Sequence, residues 1–168
     1  MSRVPLIDAS SATADRKALL TQIHGAFGAT PNMFRAVANS PAALQSMWGA
    51  FGALGGGVIP AKLGEQIAVA VADRNACEYC LAAHTALGRK AGASAEEMSA
   101  AQAGDAADPK TAAALRFALK LVEARGQVND ADVLAVHAAG YSDQEIVEIL
   151  AHVALNLFTN YVNVAFAV

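Results

Sequence analysis

The sequence predicts an all-α protein, and three features support that prediction. Alanine, the strongest helix former, is abundant, whereas proline occurs only five times in 168 residues. Side chains that cap helices recur before apolar segments. The chain has no convincing run of alternating apolar and polar residues, the pattern of a half-buried strand. We therefore expect a helical bundle that forms a single domain over residues 1–168, in which residues 1–30 supply an N-terminal extension and the first helix.

Capping signals and short breaks divide the chain into nine predicted helices. Three sites place a capping side chain before a proline at the first helical position: Thr30-Pro31, Ser40-Pro41 and Asp108-Pro109. Two capping boxes and one further cap are expected: Ser94-x-x-Glu97, Ser142-x-x-Glu145, and Asn129 or Asp130. The predicted helices are Ala14–Phe27, Pro31–Asn39, Pro41–Leu54, Pro60–Arg74, Glu78–Ala91, Ala95–Ala103, Pro109–Arg125, Ala131–Ala139 and Asp143–Phe166.

Composition and charge argue against several classes of protein. The chain is 55% hydrophobic and 16% charged, which argues against general disorder. Its net charge is −3 and its Lys and Arg residues are scattered, so we expect no nucleic-acid partner. The N-terminal residues lack the apolar run of a secretory signal. We expect a soluble, cytoplasmic protein with no membrane partner.

The last helix is the most apolar part of the chain, but it carries a polar stripe. The stripe consists of His152, Asn156, Asn160 and Asn163. A lipid-facing span would not carry so many amides, so we expect a buried helix or one at a subunit interface. The stripe would either form hydrogen bonds across a subunit contact or line an active-site pocket, and the sequence leaves both possibilities open.

The chemistry of the chain centres on its two cysteines, Cys77 and Cys80. A secreted disulfide scaffold usually has more cysteines at wider spacings, so this pair indicates a redox-active or metal-binding site. If a helix begins near Cys77, both cysteines and His84 share one helix face. The positive end of the helix dipole then stabilises a thiolate, and His84 lies within reach of the Cys80 proton.

Glu65 is the fourth candidate, because it lies on an apolar stripe of the preceding helix. A buried carboxylate needs a partner. A tight turn near Asn75 would make the two helices antiparallel, and at about 1.5 Å per residue Glu65 and His84 then lie at similar depths. Glu65 would hold the imidazole and help to move a proton from Cys80, either directly or through water.

Each of these residues also has a structural explanation. The two cysteines would fit a packed core, since a free cysteine behaves as a small hydrophobe. His84 alone would fit a structural role, and Glu65 would fit an ion pair with Lys62 or Arg89. The cysteine pair, His84 and Glu65 would also supply four ligands to zinc, although a structural zinc site more often has a second cysteine pair. The combination of the four residues favours redox chemistry, and we expect no metal ion.

The four residues together resemble a known signature. Glu65, followed after eleven residues by Cys77-x-x-Cys80-x-x-x-His84, resembles the alkyl hydroperoxidase D (AhpD)-like proteins of the carboxymuconolactone decarboxylase family. Two further segments are similar to members of that family: Val58-Ile59-Pro60 and Phe158-Thr159-Asn160-Tyr161-Val162-Asn163. The resemblance extends from roughly Pro31 to the C-terminus.

The resemblance implies an AhpD-like helical bundle that assembles as a homo-oligomer, often a trimer or a hexamer. It implies that Cys80 attacks a peroxide and becomes a sulfenic acid, that Cys77 resolves this acid to a disulfide, and that His84 and Glu65 relay protons. An external dithiol, such as a lipoylated or thioredoxin-like protein, would then reduce the disulfide, and no cofactor is expected. AhpD has a histidine just before its second cysteine, whereas this chain has Tyr79, so rate, pH dependence or reductant are the properties expected to differ.

The residues alone predict a thiol redox site, and only the resemblance implies that peroxide is the substrate. We therefore expect a thiol-dependent hydroperoxidase or disulfide reductase that acts in antioxidant defence. Three alternatives stay open at this point: a non-enzymatic redox sensor, a zinc-stabilised helical module, and a cysteine-independent enzyme acting on a small lactone or keto acid. The decarboxylase branch of the family lacks the cysteine pair, which disfavours the last of these.

Overall fold

The computed structural model describes all residues 1–168 and contains nine α-helices and no β-strand. The helices are α1 (Ala14–Phe27), α2 (Asn32–Val37), α3 (Pro41–Gly55), α4 (Ala61–Arg74), α5 (Glu78–Lys90), α6 (Ala95–Gln102), α7 (Pro109–Glu123), α8 (Asp130–Ala138) and α9 (Asp143–Phe166). All nine predicted helices are present, and their ends differ from the prediction by at most two residues. The all-α prediction is confirmed.

Most of the predicted caps form. The side chains of Ser40 and Asp108 accept hydrogen bonds from backbone N–H groups of the first turns of α3 and α7. The capping boxes that begin α6 and α9 are complete, with Ser94 and Ser142 as the capping residues. Asn129 caps α8 in a third capping box. Each cap satisfies N–H groups that have no partner within the helix, so local sequence sets where these helices begin.

The cap predicted at Thr30 is wrong. Helix α2 begins at Asn32, and Pro31 precedes it with an extended backbone (φ −56°, ψ 144°) and no side-chain cap. The Thr30 hydroxyl lies 3.4 Å from Nδ1 of His24 instead. Pro60 likewise precedes α4 with an extended backbone (φ −58°, ψ 142°). Proline fixes φ but not ψ, so a proline before a helix does not by itself place the first helical residue.

Helix α4 is the central helix of the bundle. Every residue from Gln66 to Ala72 is buried, because α5, α6, α7 and α9 surround this helix. The largest hydrophobic cluster joins α4 to α6, α7 and the first half of α9. A second cluster joins α1, α2 and α3 to the end of α9, with Leu20, Phe34 and Leu44 almost fully buried. The segment 67–72 in the middle of α4 is apolar on all sides, and such a segment needs complete burial.

Helix α9 has the length and the mean hydropathy, 1.3, that a membrane-spanning helix would need. It nevertheless packs against α2, α3, α4, α5 and α7, and three asparagines of its polar stripe are buried among them. A core helix passes the same test of length and hydropathy. The packing therefore supports the interpretation of α9 as a buried helix of a helical domain, while the single-domain organisation and the cytoplasmic location stay predictions.

Candidate active site

The turn between α4 and α5 places the cysteines. Ala76 adopts a left-handed backbone (φ 50°) immediately before Cys77, a conformation that costs an alanine about 1–2 kcal/mol. The side-chain amide of Asn75 donates a 3.0 Å hydrogen bond to Oδ1 of Asn160 on α9. This hydrogen bond anchors the turn to α9, and the start of α5 is held where the chain reverses direction.

The two cysteines lie at the first turn of α5, as predicted, and are joined by a disulfide with their Cα atoms 5.3 Å apart. Cys77 is the N-terminal cap, and its Sγ accepts the N–H of Cys80 at 3.4 Å. Nδ2 of Asn163 donates to Sγ of Cys80 at 3.4 Å. Each cysteine is only 3% exposed. Both sulfurs therefore lie beside N–H donors, which favour the negative charge of a thiolate once the disulfide is reduced.

Glu65 and His84 form the pair expected from the sequence. Oε2 of Glu65 lies 2.7 Å from Nδ1 of His84, which joins α4 to α5 beside the cysteines. Lys62, the alternative partner of Glu65, contacts Glu97 at 2.6 Å instead. Because a carboxylate only accepts, Nδ1 of His84 carries the proton of this hydrogen bond. Nε2 is then the ring nitrogen left for another partner.

Two cavities meet at His84. The first, the sulfur cavity, has a volume of about 120 Å³ and is mostly apolar. It is lined by Phe27, Pro31, Met33, Phe34, Phe51, Tyr79, Cys80, Ala83, His84, Leu87, Thr159 and Asn163. The second, the carboxylate cavity, has a volume of about 190 Å³. It is lined by Phe51, Leu54, Gly55, Ile59, Ala61, Gly64, Glu65, Ala68, His84, His152, Leu155, Asn156 and Thr159. Cys80 lines the sulfur cavity and Cys77 lines neither.

The polar stripe of α9 belongs to this site. Asn163 contacts Cys80, while His152 and Asn156 line the carboxylate cavity. The sequence predicted the stripe but could not choose between a pocket and a subunit contact. Its spacing showed that these residues share a helix face, whereas their partner depends on how α9 packs.

His152 is the one ionisable residue of the polar stripe, and its surroundings change the pKa of its imidazole. Burial lowers the pKa of His152, and the charges of Glu148 and Glu65 only partly oppose this effect. Its buried Nε2 has no hydrogen-bond partner. A Cβ on Gly64 would lie 3.3 Å from Cε1 of His152, so the absence of a side chain at Gly64 leaves room for the ring. The imidazole is therefore held neutral against the carboxylate cavity.

A larger cavity, of about 410 Å³, lies away from the cysteines. Four of its five charged side chains form ion pairs, Lys62 with Glu97 and Lys110 with Glu145, and the fifth, Asp108, accepts hydrogen bonds from Thr111. Burial raises the pKa of Tyr141 in its wall to about 12, so this phenol stays protonated. This cavity contains neither a thiol nor a histidine. No group of three or more His, Cys, Asp or Glu side chains in the chain is arranged to hold a metal ion.

Comparisons with known proteins place the chain in a family. It matches the carboxymuconolactone decarboxylase family over residues 40–124, just over half of its length. It is similar to a solved alkylhydroperoxidase AhpD core, an uncharacterized peroxidase-related protein from Ralstonia eutropha JMP134, with 26% identity and a TM-score of 0.85 over 99% of this chain and 90% of that one. An uncharacterized peroxidase-related protein from Silicibacter sp. TM1040 has 24% identity and a TM-score of 0.83 over 98% of this chain and 88% of that one.

A third solved structure with a similar fold is that of a debrominase. A cysteine-to-alanine variant of the debrominase Bmp8, in complex with 2,3,4-tribromopyrrole, has 20% identity and a TM-score of 0.81 over 98% of this chain and 89% of that one. A comparison with curated proteins finds no match. The fold is thus AhpD-like, as the resemblance implied, whereas the oligomeric state stays a prediction. The chain belongs to the carboxymuconolactone decarboxylase family and is an AhpD-like member of it.

Proposed function

We propose that this protein is a thiol-dependent peroxidase in which Cys80 reduces an organic hydroperoxide and Cys77 resolves the product. One observation carries the proposal: Cys80, but not Cys77, lines the sulfur cavity, together with His84 of the Glu65–His84 pair. A peroxide can therefore approach only one of the two sulfurs through it. The assignment of Cys80 as the attacking cysteine agrees with the role that the family resemblance implies.

The proposed cycle begins with the reduced protein. The Cys80 thiolate attacks one peroxide oxygen, so an S–O bond forms, the O–O bond breaks, and the alkoxide leaves with a proton as an alcohol. Cys77 then attacks the Cys80 sulfenic acid, so an S–S bond forms and the hydroxyl leaves as water after it takes a proton. An external dithiol reduces the disulfide and is itself oxidised. In sum, a hydroperoxide and a dithiol give an alcohol, water and a disulfide.

His84 and Glu65 move the protons of this cycle. Nε2 of His84 accepts the thiol proton of Cys80 and returns it to the leaving alkoxide. Glu65 holds Nδ1, which fixes the tautomer in which Nε2 is the free base, and its charge stabilises the imidazolium that forms. Positioned proton transfer of this kind contributes about 10²–10⁴-fold to a rate. No step requires a cofactor.

The test uses two cysteine variants with an organic hydroperoxide and a dithiol. Cys80→Ser should abolish turnover, because the attacking sulfur is gone. Cys77→Ser should also stop the dithiol cycle, but it should leave one sulfenic acid per chain that a trapping reagent locates at Cys80. Full activity in Cys80→Ser, or a sulfenic acid found only at Cys77, would overturn the assignment. Oxidation of the wild type without turnover would instead favour a redox sensor.

A second candidate function is the reductive removal of bromine from an aromatic ring. The apolar cavity at Cys80 favours it, and the debrominase Bmp8 has the same fold. In this reaction the two thiols supply two electrons: the C–Br bond is replaced by a C–H bond, bromide is released, and Cys77 and Cys80 form the disulfide. Bromide release from 2,3,4-tribromopyrrole with a dithiol, at a rate above that of hydroperoxide reduction, would favour this candidate over the peroxidase.

We also propose that the chain assembles as a homo-oligomer, a trimer or a hexamer. Exposed apolar side chains on the outer face of α9 support this: Val147, Leu150, Phe158, Tyr161 and Val164. An apolar face of this kind is typical of protein interaction surfaces. Sedimentation equilibrium should give the mass of the assembly, and a monomer at every concentration would contradict the proposal.

A further inference from the structure

Four of the twelve residues that line the sulfur cavity precede the region matched by the family. Phe27 ends α1, Pro31 precedes α2, and Phe34 lies in α2, all before residue 40. Phe34 is 1% exposed, whereas Phe27 is 43% exposed and lies nearer the surface. The segment from Phe27 to Phe34 therefore forms part of the wall of the cavity through which Cys80 is reached.

Three aromatic rings shape this wall. The ring centroids of Phe27 and Phe34 are 5.8 Å apart, those of Phe34 and Phe51 are 5.5 Å apart, and those of Phe27 and Phe51 are 6.3 Å apart. Trp48 supports them from behind, edge-on to Phe34 at 5.9 Å, and its Nε1 donates to Gln22 at 3.1 Å. Tilted and edge-on pairs at such distances are the favourable arrangements of aromatic rings. An aromatic ring bound in the cavity would pack against these rings in the same tilted or edge-on arrangements.

The side chains that line the sulfur cavity divide it into an apolar part and a polar end near Cys80. The polar groups of the lining belong to Tyr79, His84, Thr159 and Asn163, and no carboxylate, lysine or arginine lines the cavity. Its volume, about 120 Å³, is close to that of an engineered apolar protein cavity, roughly 150 Å³, that binds benzene. The cavity thus suits one uncharged ring whose reactive substituent points at the sulfur.

We propose that the sulfur cavity binds a single apolar aromatic ring and that the rings of Phe27, Phe34 and Phe51 in its wall thereby select aryl-bearing substrates for Cys80. The inference rests on the proposed function only for the identity of the reacting group. On a peroxidase the preferred substrate is a hydroperoxide attached to one phenyl ring, and the redox step is the one already given. Binding of the ring itself requires no redox chemistry.

The first experiment measures binding to the oxidised protein, in which the Cys77–Cys80 disulfide cannot attack a substrate. Fluorobenzene is the probe, its binding is followed by fluorine NMR, and cyclohexane serves as a non-aromatic competitor. We expect saturable binding that cyclohexane displaces poorly. Absence of saturable binding to both the oxidised and the reduced protein would overturn the inference.

A matched pair of variants locates the binding. Ala83 lines the cavity, so Ala83→Leu fills it, whereas Ala86 is exposed on the same helix and lines neither cavity, so Ala86→Leu is the control. Leucine is a good helix former at both positions. Ala83→Leu should weaken fluorobenzene binding about tenfold, because the larger side chain occupies volume that the ring needs and so removes part of its contacts with the aromatic wall. Equal affinity in the wild type and both variants would overturn the inference.

Substrate selectivity provides the second readout. In the wild type, kcat/KM should be higher for cumene hydroperoxide than for tert-butyl hydroperoxide, and Ala83→Leu should lower this ratio while Ala86→Leu preserves it. An unchanged ratio in Ala83→Leu would contradict aryl selection. Ring binding without turnover of any hydroperoxide would contradict only the peroxidase proposal, so the two proposals fail in different ways.

Discussion

The two cavities on either side of His84 differ in composition although they share part of their wall. The sulfur cavity has aromatic walls and contains Cys80, while the carboxylate cavity contains Glu65, His152 and Asn156. Phe51, His84 and Thr159 line both. The imidazole therefore lies between an apolar, aromatic region and a region that contains a carboxylate and a second imidazole. We infer that this separation lets substrate bind at the sulfur without displacing the carboxylate that orients the base.

The largest effect should come from the carboxylate side. Glu65→Gln keeps the size of the side chain but removes the charge that supports the imidazolium of His84, so kcat/KM should fall by about 10²-fold or more. His84→Asn should lose at least as much. Glu123→Gln is the control, because Glu123 forms only an exposed ion pair with Arg74. The three variants are compared by their steady-state rates of hydroperoxide reduction. A wild-type rate in Glu65→Gln would contradict the proposed division of roles between the two cavities.

A smaller effect is expected on the sulfur side, at Asn163. Its Nδ2 donates to Cys80 Sγ, and Asn163→Asp replaces this donor with an acceptor of the same size. The carboxylate would repel the Cys80 thiolate, so the rate at neutral pH should fall about tenfold or more, and the optimum should move to higher pH. The measurement is the pH profile of kcat/KM. A fall in rate with an unchanged profile would indicate a merely structural role for Asn163.

The smallest expected effect is on the free energy of unfolding, and it comes from the protonation of His152. Burial lowers its pKa in the folded protein below the ordinary value of about 6.5, so the unfolded chain binds the proton more readily. His152 therefore stabilises the fold fully above pH ~6.5, and this contribution declines as pH falls towards the lowered pKa. For one group the slope cannot exceed about 1.4 kcal/mol per pH unit.

Urea unfolding of the wild type and of His152→Gln, from neutral to mildly acidic pH, measures this contribution. The free energy of unfolding should fall less steeply with acid in His152→Gln. The other histidines are common to both proteins, so their titration cancels in the difference. Parallel curves would show that His152 does not contribute a neutral, buried imidazole to the carboxylate cavity.

The local features of this fold could be predicted from the sequence because they depend on neighbouring residues. Ser94 and Ser142 cap helices through partners three residues away, and these helix starts were predicted correctly. Cys80 and His84 share a helix face for the same reason. Thr30 failed as a cap because Pro31 has an extended ψ of 144° and α2 begins only at Asn32; the proline ring fixes φ but leaves ψ open.

The non-local features of the site required the structure. Cys80 and Asn163 are 83 residues apart in the sequence, and only the packing of α9 against α5 brings them together. Phe27 and Phe34 likewise reach the sulfur cavity through tertiary packing. The Glu65–His84 contact could be predicted because the tight turn between α4 and α5 leaves antiparallel packing as the simple arrangement. Catalysis by these residues remains a prediction.

The pH at which the Cys80 thiol ionises tests the central claim most directly. In reduced Cys77→Ser, Cys80 is the sole thiol, and its ultraviolet thiolate absorbance can be followed against pH. The helix start, the Asn163 amide and His84 should hold its pKa well below about 8.5, the value of an unperturbed cysteine. A thiol pKa at or above that value would contradict the proposal that this cavity contains an activated nucleophile.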